Sequence, residues 1–331
     1  VDNLSRLTQM KRGTLNGSHV IPGTPVKQQD WALDAVGNWL KFNEDASGTA
    51  VLNQTRASST VNEITSIGTG SVGLPVWATP SYDAAGNMTG FVKPSNVTAN
   101  LTGVYDAWNR LVAVKDGSTF VAAYAYDGLR RRVVKKSYTG GTLTETRDYY
   151  FSDQWQILSE AVSGTVDKTY AWGLRYVDEL LWRFDSTWKR IYAMQDANFN
   201  CTAICDSSGN MLERYQFDPY GNRVVLSPSW TVISASAYDW TVAHQGLAFE
   251  TDIGLYNCRN RVYSPLLAVW LQRDSLGYAD GLNLYLNLGS NPIVYTDPSG
   301  TIIFIIIGCI AAGWSASLTR CGAAAMQRKC Y

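Results

Sequence analysis

One short unit recurs along this chain and limits what it can fold into: an aromatic residue, Asp, two or three variable residues, then Gly-Asn or Asn-Arg. Tyr82-Asp83-Ala84-Ala85-Gly86-Asn87 and Phe217-Asp218-Pro219-Tyr220-Gly221-Asn222 show it plainly. Tyr105-Asp106-Ala107-Trp108-Asn109-Arg110 and Tyr126-Asp127-Gly128-Leu129-Arg130-Arg131 follow one another at a spacing of about one supersecondary unit. Leu33-Asp34-Ala35-Val36-Gly37-Asn38 is a divergent copy, and Val1 to Leu7 looks like one that lacks its aromatic. Asp with Gly-Asn supplies the side-chain-to-backbone bonds and the positive φ that tight turns need. The flanks alternate apolar and polar, as in Leu111-Val112-Ala113-Val114-Lys115. The unit therefore reads as a β-hairpin, which is unstable alone and must stack on neighbours into a continuous antiparallel sheet.

Composition agrees with an all-β chain. Charged residues make up only 17% while aromatics reach 12%, which suits strands rather than helices or disorder. No run before residue 300 sustains a 3.6-residue apolar period beyond about two turns. Lys plus Arg equals Asp plus Glu at 28 each, so no net field draws the chain to nucleic acid, and no nucleic-acid partner is expected. Residues 43–81 and 226–243 fit the repeat worst and read as insertions or irregular loops rich in Ser, Thr and Gly.

The repeat resembles the YD repeat of the RHS/YD family, and residues 244–300 resemble the RHS-repeat-associated core that ends the shell of such proteins. The matching pieces of the core are Gly254-Leu255-Tyr256, Arg259-Asn260-Arg261-Val262-Tyr263-Ser264-Pro265, Gln272-Arg273-Asp274, Gly281-Leu282-Asn283-Leu284-Tyr285, Asn291-Pro292 and Asp297-Pro298-Ser299-Gly300. Several short pieces in fixed order are far more specific than any one alone. The resemblance implies a curved or spiral β-shell plugged at one end by the core. It divides the chain into a repeat region 1–169, a pre-core region 170–243, the core 244–300 and a variable apolar tail 301–331. A generic β-solenoid or propeller shares such repeat periods and is the alternative architecture.

The only acidic cluster with a specific chemical reading is Asp274, Asp280 and Asp297, with Arg273. In some family members the core is an intramolecular aspartyl protease that cuts just after its Asp-Pro-x-Gly-Leu motif. Two neighbouring carboxylates can activate water, because like charges push their pKa values apart. The resemblance assigns catalysis to Asp274 with Arg273 as electrostatic support, leaves Asp280 and Asp297 as candidates for the second carboxylate, and places the cut near Gly300-Thr301-Ile302. Thr301 stands where the family has Leu. The structural alternative is that these Asp residues cap turns and pair with neighbouring Arg.

No cofactor or metal site is expected: with only His19 and His244 there is little material for a metal centre or a Ser-His-Asp triad. His244 reads as a hydrogen-bonded structural residue. Cys201 and Cys205 would share one face of a strand and suggest a disulfide or buried thiols. The Asp206-Ser207-Ser208-Gly209-Asn210 run lacks the spaced acids of a calcium loop and reads as a hairpin turn.

From Pro298 to Thr319 there is no charge, and Ile302 to Ile307 is intensely apolar. Exposed, that run would aggregate, so burial against protein is expected, with a membrane span through 301–319 as the runner-up. Six Cys suit an exported protein, and Cys321–Cys330 is the favoured pair. The chain starts inside a repeat unit and reads as the C-terminal part of a longer exported precursor, extracellular or at the cell surface. Three functions compete: a structural shell or fibre segment that holds its own C-terminal peptide and packs against further copies of itself; a self-cleaving core that releases the tail; and an adhesin or carbohydrate-binding module. Any enzyme activity would be the intramolecular cleavage alone.

Overall fold

The computed structural model describes residues 1–305 and folds the repeat unit into a five-residue turn between antiparallel strands. At Asp127, Oδ1 accepts the backbone N–H of Leu129 and of Arg131, both at 2.9 Å, while Oδ2 accepts Arg131 Nε at 2.7 Å. Asp83, Asp106 and Asp218 open the same turn, and in each the fifth residue, Asn or Arg, bonds back to Oδ2. The fourth residue always has positive φ, which explains Gly at 37, 86 and 221 and the toleration of Asn109.

At three hairpins the aromatic that ends a strand stitches it to the previous hairpin. Tyr105 Oη donates to Met88 O at 2.8 Å, Tyr126 Oη to Leu111 O at 2.7 Å and Trp172 Nε1 to Ile157 O at 2.7 Å. Each acceptor is the first residue after the preceding turn. The strand pairing slips by one residue at Tyr82, Tyr105, Tyr126, Phe151 and Trp172. Such bulges increase twist and bend the sheet, so the same residue that joins repeats also curves them.

Strands adjacent in sequence are adjacent in space. A five-stranded sheet comprises Gln9–Arg12, Lys27–Leu33, Trp39–Ala46, Thr49–Ser58 and Ile64–Thr69; a fifteen-stranded sheet runs from Ser81–Tyr82 to Val232–Ile233. Residues 43–69 are therefore repeat, not insertion, whereas 70–80 form the irregular loop expected. In the 59–63 turn the Ser59 hydroxyl does the work of Asp, accepting Val61 N at 3.3 Å and Glu63 N at 3.2 Å. Ser227 caps 227–231 in the same way, so part of 226–243 is repeat as well.

The two sheets follow one another in a roll that brings the five-stranded sheet against the end of the fifteen-stranded one. Arg12 Nη1 donates to Gln216 at 2.9 Å, Gln29 Nε2 lies 3.4 Å from Asp218, and Tyr220 packs edge-on against Trp31 and Trp39. These are side-chain contacts without strand pairing, so the roll is a spiral rather than a closed barrel. The core block fills its inside. Ile253, Leu255, Val262, Leu267 and Leu271 pack on Met88, Phe91, Leu101, Leu111 and Val114 of the sheet. Each such fully buried side chain contributes roughly 1.5–3 kcal/mol, which makes this interface a strongly cohesive one.

The core also covers one rim of the sheet. Asn283 bonds Asn38, Asn62 bonds Leu282 O, Tyr285 bonds Gly86 O, Asn198 bonds Pro292 O and Asn222 bonds Pro265 O. Every one of these shell residues lies in a five-residue turn, so the repeat motif doubles as the docking edge for the plug. Exposed Trp108 and Trp230 are turn residues, each with one Arg, Arg110 and Arg214, stacked over the ring.

Among the described residues Cys201, Cys205 and Cys258 are free thiols. Cys201 is buried and Cys205 half exposed, because bulges at both ends of Cys201–Cys205 break the simple alternation expected of a strand. Asp206 to Asn210 is a hairpin turn. Cys309, Cys321 and Cys330, with any bridge among them, lie outside the described residues, as does most of the 301–319 run. Among the described residues no helix is long and apolar enough to cross a membrane.

Candidate functional site

The Asp-Pro-Ser-Gly segment is gripped by the hairpin turn that joins Leu255–Cys258 to Arg261–Ser264. Four consecutive residues of that turn take four consecutive carbonyls. Cys258 Sγ donates to Asp297 O at 3.1 Å, Arg259 Nη1 to Pro298 O, Asn260 Nδ2 to Ser299 O at 3.0 Å, and Arg261 Nε to Gly300 O. Gly300 has φ +71, and a Cβ there would come within 2.5 Å of Cys258 O, so only glycine fits the clamp.

Arg261 is the centre of the cluster. Its guanidinium lies 4.3 Å from the Trp270 ring centroid, and its side chain is 5% exposed. Nη2 reaches Asp274 Oδ2 at 2.9 Å and Asp297 Oδ2 at 3.4 Å. Burial pushes the Arg261 pKa down, opposed by these two carboxylates. Burial likewise pushes Asp274 and Asp297 up against the pull of Arg261, and the exposed Asp280 adds a further upward push on Asp274.

Both carboxylates also open turns of the repeat type. Asp274 Oδ1 accepts Leu276 N at 2.8 Å, with Gly277 at positive φ. Asp297 Oδ1 accepts Ser299 Oγ at 2.9 Å, Thr301 N at 3.1 Å and Ile302 N at 3.2 Å. Arg261 thus brings Asp274, Asp297 and the Gly300 carbonyl together, while Asp280 stands outside among exposed residues.

Arg273 is not the cation of Asp274. It donates to Glu63 at 2.6 Å and to Tyr285 Oη at 3.1 Å, tying the plug to the 59–63 and 83–87 turns. Neighbouring residues of an extended chain point opposite ways, so adjacency in sequence separates the two side chains. Arg261 takes the place expected for Arg273. A signal for it existed: Arg-Asn-Arg in an otherwise apolar hairpin buries cations, which demands acidic or carbonyl partners. Arg259 finds one in Asp178, at 2.6 and 3.0 Å.

A second feature is a cavity of about 500 Å³ between the sheet strands Arg132–Thr139 to Thr165–Trp172 and the 239–252 segment. Arg132, Lys135, Arg147 and Lys168 line it, paired with Glu250, Asp252, Glu160 and Asp239. Among the described residues no group of three His, Cys, Asp or Glu converges as a metal site. His244 is buried among Phe217 and Tyr256, and among the described residues neither ring nitrogen has a partner, so the expectation of a hydrogen-bonded histidine is not met there.

A profile of the Teneurin YD-shell family matches residues 12–293. The chain belongs to that family. Similar proteins include the tRNA3(Ser)-specific nuclease WapA of Bacillus spizizenii, 29% identical over 71% of this chain and 10% of that protein. The toxin subunit YenC2 of Yersinia entomophaga is 32% identical over 37% of this chain and 11% of its own length. The YD-shell chain therefore spans about a tenth of the curated relatives it matches. Among solved structures, the Photorhabdus luminescens Tc holotoxin pore aligns with a TM-score of 0.49 and 17% identity, over 85% of this chain and 17% of that one.

Proposed function

We propose that this YD-shell segment is a structural, extracellular or cell-surface element that holds its own C-terminal peptide at the plugged end. The observation that supports this most is the clamp, in which Cys258, Arg259, Asn260 and Arg261 take the carbonyls of residues 297–300 just before the tail. The peptide then folds back, Phe304–Ile305 pairing with Tyr295–Thr296. Holding by backbone carbonyls is indifferent to the sequence that follows, which suits a variable tail. Replacing Arg259 and Arg261 together by Met should expose the 297–305 segment to proteolysis while the repeat region stays resistant. Equal protection in that variant and in the wild type refutes the reading. Further copies of the chain, packed edge to edge, remain candidate partners.

Self-cleavage is the second reading, favoured by one observation: Arg261 joins two carboxylates to the carbonyl of Gly300. Burial holds Asp274 and Asp297 above the usual carboxylate range, which suits them to holding and passing a proton. Intact mass of the purified chain, wild type against Asp274→Asn, tests it. An uncut wild type, or equal cutting in both, counts against it.

A further inference from the structure

The peptide bond at Gly300-Thr301 carries more chemistry than the carboxylate pair accounts for. Its carbonyl oxygen accepts from Arg261 Nε. Its N–H is held by Asp297 Oδ1 at 3.1 Å and Ser299 Oγ at 3.2 Å. The hydroxyl of Thr301 lies 2.8 Å from Ser299 Oγ, which in turn donates to Asp297 Oδ1 at 2.9 Å. This is a continuous path from a hydroxyl nucleophile to a buried carboxylate, built inside one turn. In the turns led by Asp83, Asp106, Asp127 and Asp218 the fifth side chain, Asn or Arg, bonds back to the second Asp oxygen. Here that place is taken by a hydroxyl, and Arg261 occupies the free Asp297 oxygen instead.

We propose that Thr301 is the nucleophile of an N-to-O acyl shift that cuts the chain at Gly300-Thr301, a proposal that rests on the self-cleavage reading, gives it a different reaction and commits it to one bond. Thr301 Oγ1 attacks the Gly300 carbonyl carbon, closing a five-membered ring. The hydroxyl proton passes through Ser299 Oγ to the Asp297 carboxylate. Negative charge on the Gly300 oxygen is held by the Arg261 guanidinium, which Asp274 keeps in place. When the ring opens, the C–N bond breaks, Asp297 returns the proton to the departing amine, and an ester joins Gly300 to Thr301 Oγ1. Water then hydrolyses the ester to a Gly300 carboxylate and a free Thr301 with its α-amine. The positive φ of Gly300 and its missing Cβ let the clamp close on it, with Cys258 O packed where a Cβ would stand, and this fixes the carbonyl that Thr301 attacks. Burial, which pushes Asp297 up, makes it a stronger base than an exposed carboxylate.

The test uses the full chain, incubated at neutral pH with and without hydroxylamine, and follows fragment masses over time. Wild type is expected to give a fragment ending at Gly300 and another beginning at Thr301. Hydroxylamine should accelerate the cut and leave a hydroxamate on Gly300. Thr301→Ser should keep the rate within about tenfold, whereas Thr301→Val should lose it by roughly the 10²–10⁴-fold of a missing proton-transfer group or more. Ser299→Ala should slow the cut with unchanged fragment masses, and near-wild-type circular dichroism checks that each variant folds. If Thr301→Val does not fold, the hydroxylamine product decides alone. A cut at Thr301-Ile302, or Thr301→Val cutting at the wild-type rate, overturns the acyl shift and leaves self-cleavage standing. Wild type that stays intact even in hydroxylamine overturns both.

Discussion

Replacing Glu250 by Gln should loosen the plug from the shell. The Glu250 carboxylate pairs with Arg132, lies 3.2 Å from Lys135 Nζ and accepts Tyr124 Oη at 2.7 Å. Among the described residues Glu250 is the one carboxylate paired with Arg132, whose Nε and Nη2 have no partner there. Lys135 keeps only the more exposed Asp252, at 3.1 Å. Removing one member of a buried ion pair costs about 3–5 kcal/mol, because the other charge stays buried and unpaired. A second route gives a similar size. Despite burial, Arg132 and Lys135 hold the Glu250 pKa down to about 2 from 4.5, a gap worth about 3 kcal/mol. That contribution is complete above the unfolded pKa and fades as pH falls from about 4.5 toward 2. Urea unfolding at neutral pH should therefore show a loss of about 3 kcal/mol in Glu250→Gln. Adding Arg132→Met should restore much of it by removing the orphaned cation. A loss below about 1 kcal/mol, or a double variant no better than the single one, would mean that the pair does not fasten the plug.

Acid should also act through His244, whose burial drops its pKa to about 3. Its stabilising share is present above 6.5 and is lost as pH falls, by about 2 kcal/mol down to pH 5; His244→Phe should flatten that part of the midpoint-versus-pH curve, and an unchanged slope refutes it. At the 59–63 turn, Ser59→Ala should cost about 1 kcal/mol and Ser59→Asp should match or exceed wild type, read from thermal midpoints. Gly300→Ala should destabilise the clamp by roughly 1–3 kcal/mol, since both φ and the approach of Cys258 O oppose a Cβ. Proteolysis confined to the tail junction would show this, and unaltered protection would sink it.

Much of this protein is determined locally, and so was legible in its sequence. Asp83, Asp106, Asp127 and Asp218 each carry their turn within five residues, because one short carboxylate satisfies one or two backbone N–H groups and its own fifth side chain. That local closure dictates hairpins, and hairpins with one aromatic strut dictate a sheet of sequential neighbours. Ser59 and Ser227 escaped notice only because a hydroxyl replaces the carboxylate without changing the geometry. The site was decided elsewhere. Asp274 and Arg273 are adjacent in sequence yet turn away from each other, toward Arg261 and Glu63. Arg261 meets Asp297 and Gly300 only because the core folds back on itself, and Arg132 meets Glu250 only because the plug enters the shell. Local bonding can be read from a string of residues. The partner of a buried charge cannot, because burial is a property of the whole fold, and the strand alternation that sends a side chain inward does not say what will be waiting there.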